Sequence, residues 1–123
     1  MKSLKFYAVL LFSMFTAGFS FAQKNTSLNK KETIKVLGNC ESCKKRIETT
    51  AKAAGAVTAS WNEENEMLEV SYDGGKTSAI KIEQAIAAKG HDTQDVKATD
   101  KAYNKLPGCC KYDRSKLKEV INN

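Results

Sequence analysis

Residues 32–54 have the sequence ETIKVLGNCESCKKRIETTAKAA, in which two cysteines separate two different hydrophobic patterns. The first six residues alternate polar and apolar side chains, which is typical of a half-buried β-strand. From Glu41 to Ala54 the apolar residues recur at helical spacing instead. The two cysteines, Cys40 and Cys43, are therefore predicted to lie on a strand-to-helix loop, at the N-terminus of the helix.

This position favours a pair of reactive thiolates. Unpaired backbone N–H groups and the helix dipole stabilise a thiolate at a helix N-terminus, and Lys44, Lys45 and Arg46 add positive charge in the first turn. Soft thiolates bind Cu(I), Hg(II) and Zn(II). Two ligands suit Cu(I) best, because Zn(II) usually takes four ligands, or three and a water. Cys40 and Cys43 are thus predicted to bind Cu(I), with Hg(II) and Zn(II) as alternatives.

The rest of the chain extends the pattern to β-α-β-β-α-β. The predicted elements are a strand at 33–37, a helix at 41–54, a hairpin of strands at 56–61 and 67–72, a helix from Thr77 or Ser78 to a stop at Gly90, and a weak strand at 93–96. This order predicts an α+β, ferredoxin-like sandwich, in which one antiparallel sheet carries both helices on a single face. A C-terminal extension with an adjacent cysteine pair follows.

Four segments are predicted along the chain. Residues 1–22 combine an early positive charge, an apolar run and small residues before a cut after Ala22, as in a secretory signal peptide. A membrane anchor is disfavoured, since about ten apolar residues cannot span a bilayer that needs roughly 20. Residues 23–31 are a flexible lead-in, 32–98 the domain and 99–123 the extension. The protein is therefore predicted to be periplasmic or secreted, with no stable membrane insertion after cleavage.

Charge excludes some functions. The net charge of +6 falls to +4 without the predicted signal peptide, which holds two lysines and no acid. Aromatic residues do not alternate with the basic ones as they do in nucleic-acid-binding proteins, so no nucleic acid is expected. Glu63, Glu64 and Glu66 are interpreted as a solvated patch in the hairpin turn, not as an acid/base pair. Since binding and transfer of a metal ion catalyse no bond chemistry, the protein is predicted not to be an enzyme.

The second cysteine pair, Cys109 and Cys110, is adjacent in the sequence. A disulfide within either pair would close a very small loop and restrain the unfolded chain little, so a purely stapling role is disfavoured. Three arrangements remain. The tail adds thiolates to the Cys40 and Cys43 site, holds a second metal alone, or forms a disulfide with Cys40 or Cys43.

A two-cysteine loop on the first β–α turn of β-α-β-β-α-β resembles the heavy-metal-associated domain. That family includes copper chaperones, N-terminal modules of copper-pumping ATPases and the periplasmic mercury-binding protein. The resemblance covers about Glu32 to Ala98 and implies that Cys40 and Cys43 are the metal ligands. Gly90-His91 matches a loop that lies beside the metal loop in the family, so His91 is a candidate third ligand or a pH-dependent modulator.

The chain departs from the family just before the first cysteine. It has Leu37-Gly38-Asn39, where the family has Gly-Met-Thr or a close variant. The resemblance implies that the family's Met fills the core under the loop. Gly38 has no side chain to do this, so the loop is predicted either to be mobile or to be packed by another side chain.

The prediction for function is a monomeric carrier or scavenger of Cu(I). It would pass the ion by thiolate ligand exchange to a transporter or another carrier, and Lys44, Lys45 and Arg46 would dock an acidic face of that partner. One alternative is a thiol–disulfide redox protein with Cys40 as nucleophile and Cys43 as resolving thiol. Another is a disulfide-stabilised structural or interaction domain.

Overall fold

The computed structural model describes residues 29–121, and side chains up to 118. The predicted signal peptide lies outside these residues. The described elements are β1 (Asn29–Lys35), α1 (Glu41–Ala53), β2 (Ala56–Trp61), β3 (Met67–Asp73), α2 (Ala79–Ala88), α3 (Asp100–Asn104), a 3-10 turn (Gly108–Cys110) and α4 (Lys116–Ile121). Asn29 to Lys31 belong to β1, so the predicted lead-in ends before them. Among the described helices, none has both the length and the apolar character needed to cross a membrane.

The sheet has three antiparallel strands in the order β1-β3-β2. Leu68, the second residue of β3, pairs with Ile34 on β1 and with Trp61 on β2. Alternate residues of β3, namely Leu68, Val70 and Tyr72, are buried, as the period of two predicts. These side chains form one core with the buried stripes of the two long helices. The predicted ferredoxin-like α+β fold is confirmed.

The predicted fourth strand, residues 93–96, is reduced to a single bridge between Val36 and Thr93. The segment forms a tight turn, because the Thr93 N–H donates to Val96 O at 2.8 Å and the Thr93 hydroxyl donates to buried Glu83. The first of these bonds uses backbone groups that a β-ladder would need. The segment still runs beside the end of β1, since the Gln94 N–H donates to Lys35 O at 2.9 Å.

The two helices follow the predicted patterns. Cys43, Ile47 and Ala51 are the buried stripe of α1. In α2, Ser78 is the N-cap, and its hydroxyl accepts the Lys81 N–H at 3.3 Å. Gly55 follows α1 and Gly90 follows α2, with positive φ of 110° and 106°. Glycine adopts this left-handed conformation at the end of a helix without steric cost.

The extension packs onto the domain. Leu106, Cys110 and Tyr112 are buried in the same core as the sheet and helices. The 3-10 turn contacts α1, which begins at the two-cysteine loop. The tail is therefore part of the folded unit, and its 3-10 turn lies beside that loop.

Candidate metal centre

Three cysteine sulfurs converge at the start of α1. Cys40 Sγ lies 3.2 Å from Cys43 Sγ and 3.3 Å from Cys110 Sγ, and the three sulfurs all lie within 4.8 Å of one another. All three are free thiols, because a disulfide needs about 2.05 Å between its sulfurs. Cys43 and Cys110 are fully buried, and Cys40 is half-buried. The structure thus brings one tail cysteine to the predicted loop site.

Cys109 does not join this cluster. Its side chain is exposed, and its sulfur is 3.9 Å from Cys110 Sγ. The 3-10 turn separates the two neighbours, because the Cys110 N–H donates to Pro107 O at 2.8 Å and directs Cys110 into the core. Of the open arrangements for the tail, the structure shows the one in which a single tail thiol lies at the loop site.

The loop leaves its two sulfurs free to meet. Cys40 is the N-cap of α1 in an extended conformation and makes no side-chain capping bond, so its sulfur can turn toward the tail. Its carbonyl oxygen accepts the Lys44 N–H at 3.1 Å and starts the helix. Cys43 points inward from the first turn, and its thiol donates to Asn39 Oδ1 at 3.5 Å.

Cys110 is positioned by an anchor two residues further along the tail. The Tyr112 hydroxyl accepts the Asp92 N–H and donates to Gly90 O, both at 2.7 Å. Arg114 donates to both carboxylate oxygens of Asp92, at 2.8 and 2.9 Å. Asp92 is fully buried, so this bidentate pair is a strong link between tail and domain.

The loop that lacks the family's methionine is packed by Trp61. The indole is buried and its Nε1 donates to Val36 O at 3.0 Å. A Cβ placed on Gly38 would lie 3.0 Å from the indole Cζ2 and 3.1 Å from Cys43 Cβ, so glycine allows this close approach. The carboxylate of Glu66 also accepts the Gly38 N–H at 3.2 Å, and Glu66 is buried, so its interpretation as part of a solvated patch is wrong.

Gly38→Ala is expected to lower the free energy of unfolding by about 1–3 kcal/mol, because the added methyl overpacks the contact between the loop and Trp61. Urea unfolding of the metal-free protein measures this. Gly108→Ala is the matched control: a Cβ there meets nothing within 4 Å, so we expect a change within about 0.5 kcal/mol. Equal effects of the two substitutions would contradict the packing role.

Arg46 and His91 border the cluster without belonging to it. Arg46 Nη1 donates to Cys110 Sγ at 3.3 Å and lies 3.4 Å from His91 Nε2. His91 Nδ1 lies 2.8 Å from Leu37 O, which can only accept, so Nδ1 carries the ring proton. Burial lowers the pKa of His91 and keeps the ring neutral. Both ring nitrogens are thus engaged, and the structure does not place His91 among the candidate ligands.

The predicted docking residues differ in their surroundings. Lys44 bridges to Glu48 at 2.9 Å and also donates to Trp61 O at 2.8 Å. Arg46 faces the thiols, and Lys45 is exposed. Of the three predicted basic residues, Lys45 presents its charge to solvent most freely.

The buried thiols differ in acidity. Burial raises the pKa of Cys43 to about 12, and contacts with Cys110 and Cys40 act in the same direction. Burial also acts to raise the pKa of Cys110, but hydrogen bonds from Cys43, Arg46 and Cys40 outweigh it and lower the pKa to about 6. Of the two buried thiols, Cys110 in the tail is therefore the more acidic, and Cys43 in the loop is the one that holds its proton more strongly.

Three sulfur donors, with no carboxylate or imidazole of the described residues among them, suit a trigonal soft ion. Three sulfurs bonded to one metal at about 2.3 Å would lie about 4 Å apart, so the separations of Cys40 Sγ from the other two sulfurs, 3.2 and 3.3 Å, need only a small increase. Zn(II) in this site would need a fourth ligand, such as water. The residues present therefore fit Cu(I) or Hg(II) without an added ligand.

The fold and the thiol cluster define the class of protein, a small ferredoxin-like domain of the copper-chaperone, heavy-metal-associated type. Among solved structures, the CopZ metallochaperone is 30% identical, with a TM-score of 0.50, over 52% of this chain and 98% of the chaperone. The chain matches no family model and, at a significant level, no curated protein.

Two further solution structures share the fold, each with 24% identity and a TM-score of 0.50. One is described as a copper-ion-binding protein from Bacillus anthracis str. Ames, and the match covers 53% of this chain and 94% of that one. The other is the N-terminal domain of a potential copper-translocating P-type ATPase from Bacillus subtilis in a Cu(I)-loaded state, with 53% and 84% covered. These neighbours are metal-binding proteins and domains.

Tyr112, Arg114 and Trp61 contribute to the site but were not predicted to do so. Tyr112 and Arg114 lie beyond the domain that the resemblance covers, and Trp61 lies at the end of β2, far along the chain from the two-cysteine loop. One signal was available: the tail carries Tyr103, Tyr112 and Arg114 around its cysteine pair, a composition that favours docking onto a folded surface.

Proposed function

We propose that the chain binds one Cu(I) ion through thiolates of Cys40, Cys43 and Cys110 and acts as a carrier or scavenger. The observation that carries this is the cluster of three free sulfurs within 4.8 Å, two of them buried. Thiolates select soft ions, and three of them match a trigonal site. The fold shared with a named metallochaperone supports a carrier role.

Transfer would proceed by ligand exchange. Cys40 is the most exposed member of the cluster, so a partner thiol or thioether would attack on its side. Cys110 is fixed by the tail anchor and Cys43 by the helix, so Cys40 is the ligand that can leave first. The partner would then take the ion as the remaining two thiolates release it, and no covalent bond of a substrate changes.

We further propose that the protein acts after export, as the pattern of residues 1–22 predicts. In an oxidising compartment free thiols tend to form disulfides. Burial of Cys43 and Cys110 limits access to oxidants and would favour loading over oxidation. Exposed Lys45, beside the thiol loop, would contribute to docking of an acidic partner.

A second candidate function is dithiol–disulfide exchange, which the short separations of Cys40 Sγ from two other sulfurs favour. The acidity of the cluster speaks against the predicted redox roles, because the thiol with the lowered pKa is Cys110, which is fully buried. A redox protein needs its nucleophilic thiolate accessible to a substrate. The carrier therefore remains the better-supported function.

Anaerobic titration of reduced residues 23–123 with Cu(I), against a competing chelator, tests the proposal. We expect one Cu(I) per chain, and in the loaded protein only one of the four thiols, Cys109, stays reactive toward a thiol reagent. The Cys40→Ser/Cys43→Ser variant should lose competition with the chelator. Failure of the unsubstituted protein to compete would overturn the proposal, and disulfide cycling without metal uptake would favour the redox alternative.

A further inference from the structure

The contact between Arg46 and the tail thiol has the geometry of a fixed charge beside a metal site. A single nitrogen, Nη1, lies 3.3 Å from Cys110 Sγ and 3.4 Å from His91 Nε2. This nitrogen carries two hydrogens, so it can donate one to each acceptor. His91 is fully buried, is held by Leu37 O and stacks on the Tyr112 ring with centroids 5.6 Å apart.

The imidazole therefore acts as a rigid support for the guanidinium. Because Leu37 O accepts the proton of Nδ1, the lone pair of Nε2 must face Arg46. An arginine is always charged at the pH of a cell, so its positive charge stays beside the sulfurs whether or not a metal is bound. Arg46 is thus held toward the cluster from its own helix and cannot serve mainly as an outward docking residue.

The charge of a loaded three-thiolate site depends on the ion. Three thiolates bring three negative charges, so a monovalent ion leaves a net charge of minus two and a divalent ion leaves minus one. A neutral water as an extra ligand does not alter this difference. A neighbouring positive charge attracts the more negative complex more strongly.

We propose that Arg46 is a specificity-determining residue that biases the cluster of Cys40, Cys43 and Cys110 toward monovalent over divalent soft ions. This inference rests on the proposed function. Both affinities are measured relative to the same metal-free protein at a given pH. The free energy of the metal-free protein therefore cancels from the ratio of the two affinities. One extra unit charge a few ångströms away in a partly exposed site corresponds to about a tenfold change in that ratio.

The test is the ratio of Cu(I) to Zn(II) affinity, each measured anaerobically by chelator competition. We compare the unsubstituted protein with Arg46→Gln, which removes the charge, and with Arg46→Lys, which keeps it. Lys52→Gln is the matched control, because it removes the same charge from an exposed position at the other end of α1. Arg46→Met is a second uncharged variant, used if far-UV circular dichroism shows that the glutamine variant does not fold.

We expect the ratio to fall about tenfold in the uncharged Arg46 variant. It should stay near the unsubstituted value in Arg46→Lys and in Lys52→Gln. An equal loss of affinity for both ions would show that Arg46 only supports the structure. An unchanged ratio would show that its charge does not affect the choice of ion. Either result overturns the inference. If Cys110→Ser leaves Cu(I) affinity intact, the three-thiolate function itself fails, which is a distinguishable outcome.

Discussion

Cys110→Ser is expected to lower the Cu(I) affinity about a hundredfold, since even the loss of an outer partner of a metal ligand lowers affinity about 10–100-fold. Cys110 supplies one of the three clustered sulfurs and is fully buried, so no other side chain in the described structure can replace it without moving the tail. A serine hydroxyl is a hard, neutral donor and suits Cu(I) poorly. Chelator competition under anaerobic conditions measures the loss.

The control for this prediction is the neighbouring cysteine. Cys109→Ser removes an exposed thiol whose sulfur lies outside the cluster, so the Cu(I) affinity should stay unchanged. Similar losses in the two variants would mean that the cysteines act interchangeably. No loss in either would reduce the site to the two loop cysteines.

Arg114→Ala is expected to lower the free energy of unfolding by about 3 kcal/mol, because it leaves the buried carboxylate of Asp92 without its charged partner. Arg114 also donates to Ala98 O at 2.6 Å, so its loss frees the tail at two points. The Cu(I) affinity should fall as well, since an unanchored tail must be ordered before Cys110 can bind. Urea unfolding and chelator competition measure the two effects.

Lys118→Ala is the control on the same tail. Lys118 is exposed on α4 and its loss should change neither stability nor affinity. A loss of stability in Arg114→Ala with full Cu(I) affinity would contradict the role of the anchor in positioning Cys110. An Arg114→Ala variant as stable as the unsubstituted protein would contradict the importance of the buried pair.

The domain could be predicted from local patterns because its elements are regular. Local sequence preference and core packing favour the same structure in these elements. Examples are the alternation over β3, the helical stripe that contains Ile47, and the glycines at the ends of α1 and α2. The weak segment at 93–96 was predicted less well. The segment forms a turn and not an extended strand, and the carboxylate of buried Glu83 accepts a hydrogen bond from the Thr93 hydroxyl in that turn.

The loop half of the candidate site was predictable for the same reason, since Cys40 and Cys43 lie three positions apart on one turn. The tail half was not. Residues 40 and 110 are 70 positions apart, and no periodicity reports where a short tail packs. The contact depends on hydrogen bonds of Tyr112 and Arg114 to Asp92, and these bonds form only when the folded domain buries Asp92.

The packing under the two-cysteine loop, where the family has a methionine, could not be predicted from local patterns either. The sequence shows that Gly38 leaves space under the loop, and two outcomes were open, a mobile loop or packing by another side chain. Trp61 fills the space from the end of β2, which is a long-range contact between that strand and the loop before α1. The aromatic character of Trp61 favours burial, but no sequence pattern indicates which residues it contacts.

X-ray absorption spectroscopy at the copper edge counts the sulfur atoms bound to Cu(I) in the loaded protein, and so distinguishes a centre of three thiolates from one of two. We expect three sulfurs bonded to copper in the unsubstituted protein and in Cys109→Ser, and fewer than three in Cys110→Ser. Two sulfurs in the unsubstituted protein, unchanged on substitution of Cys110, would contradict a metal centre completed by the tail.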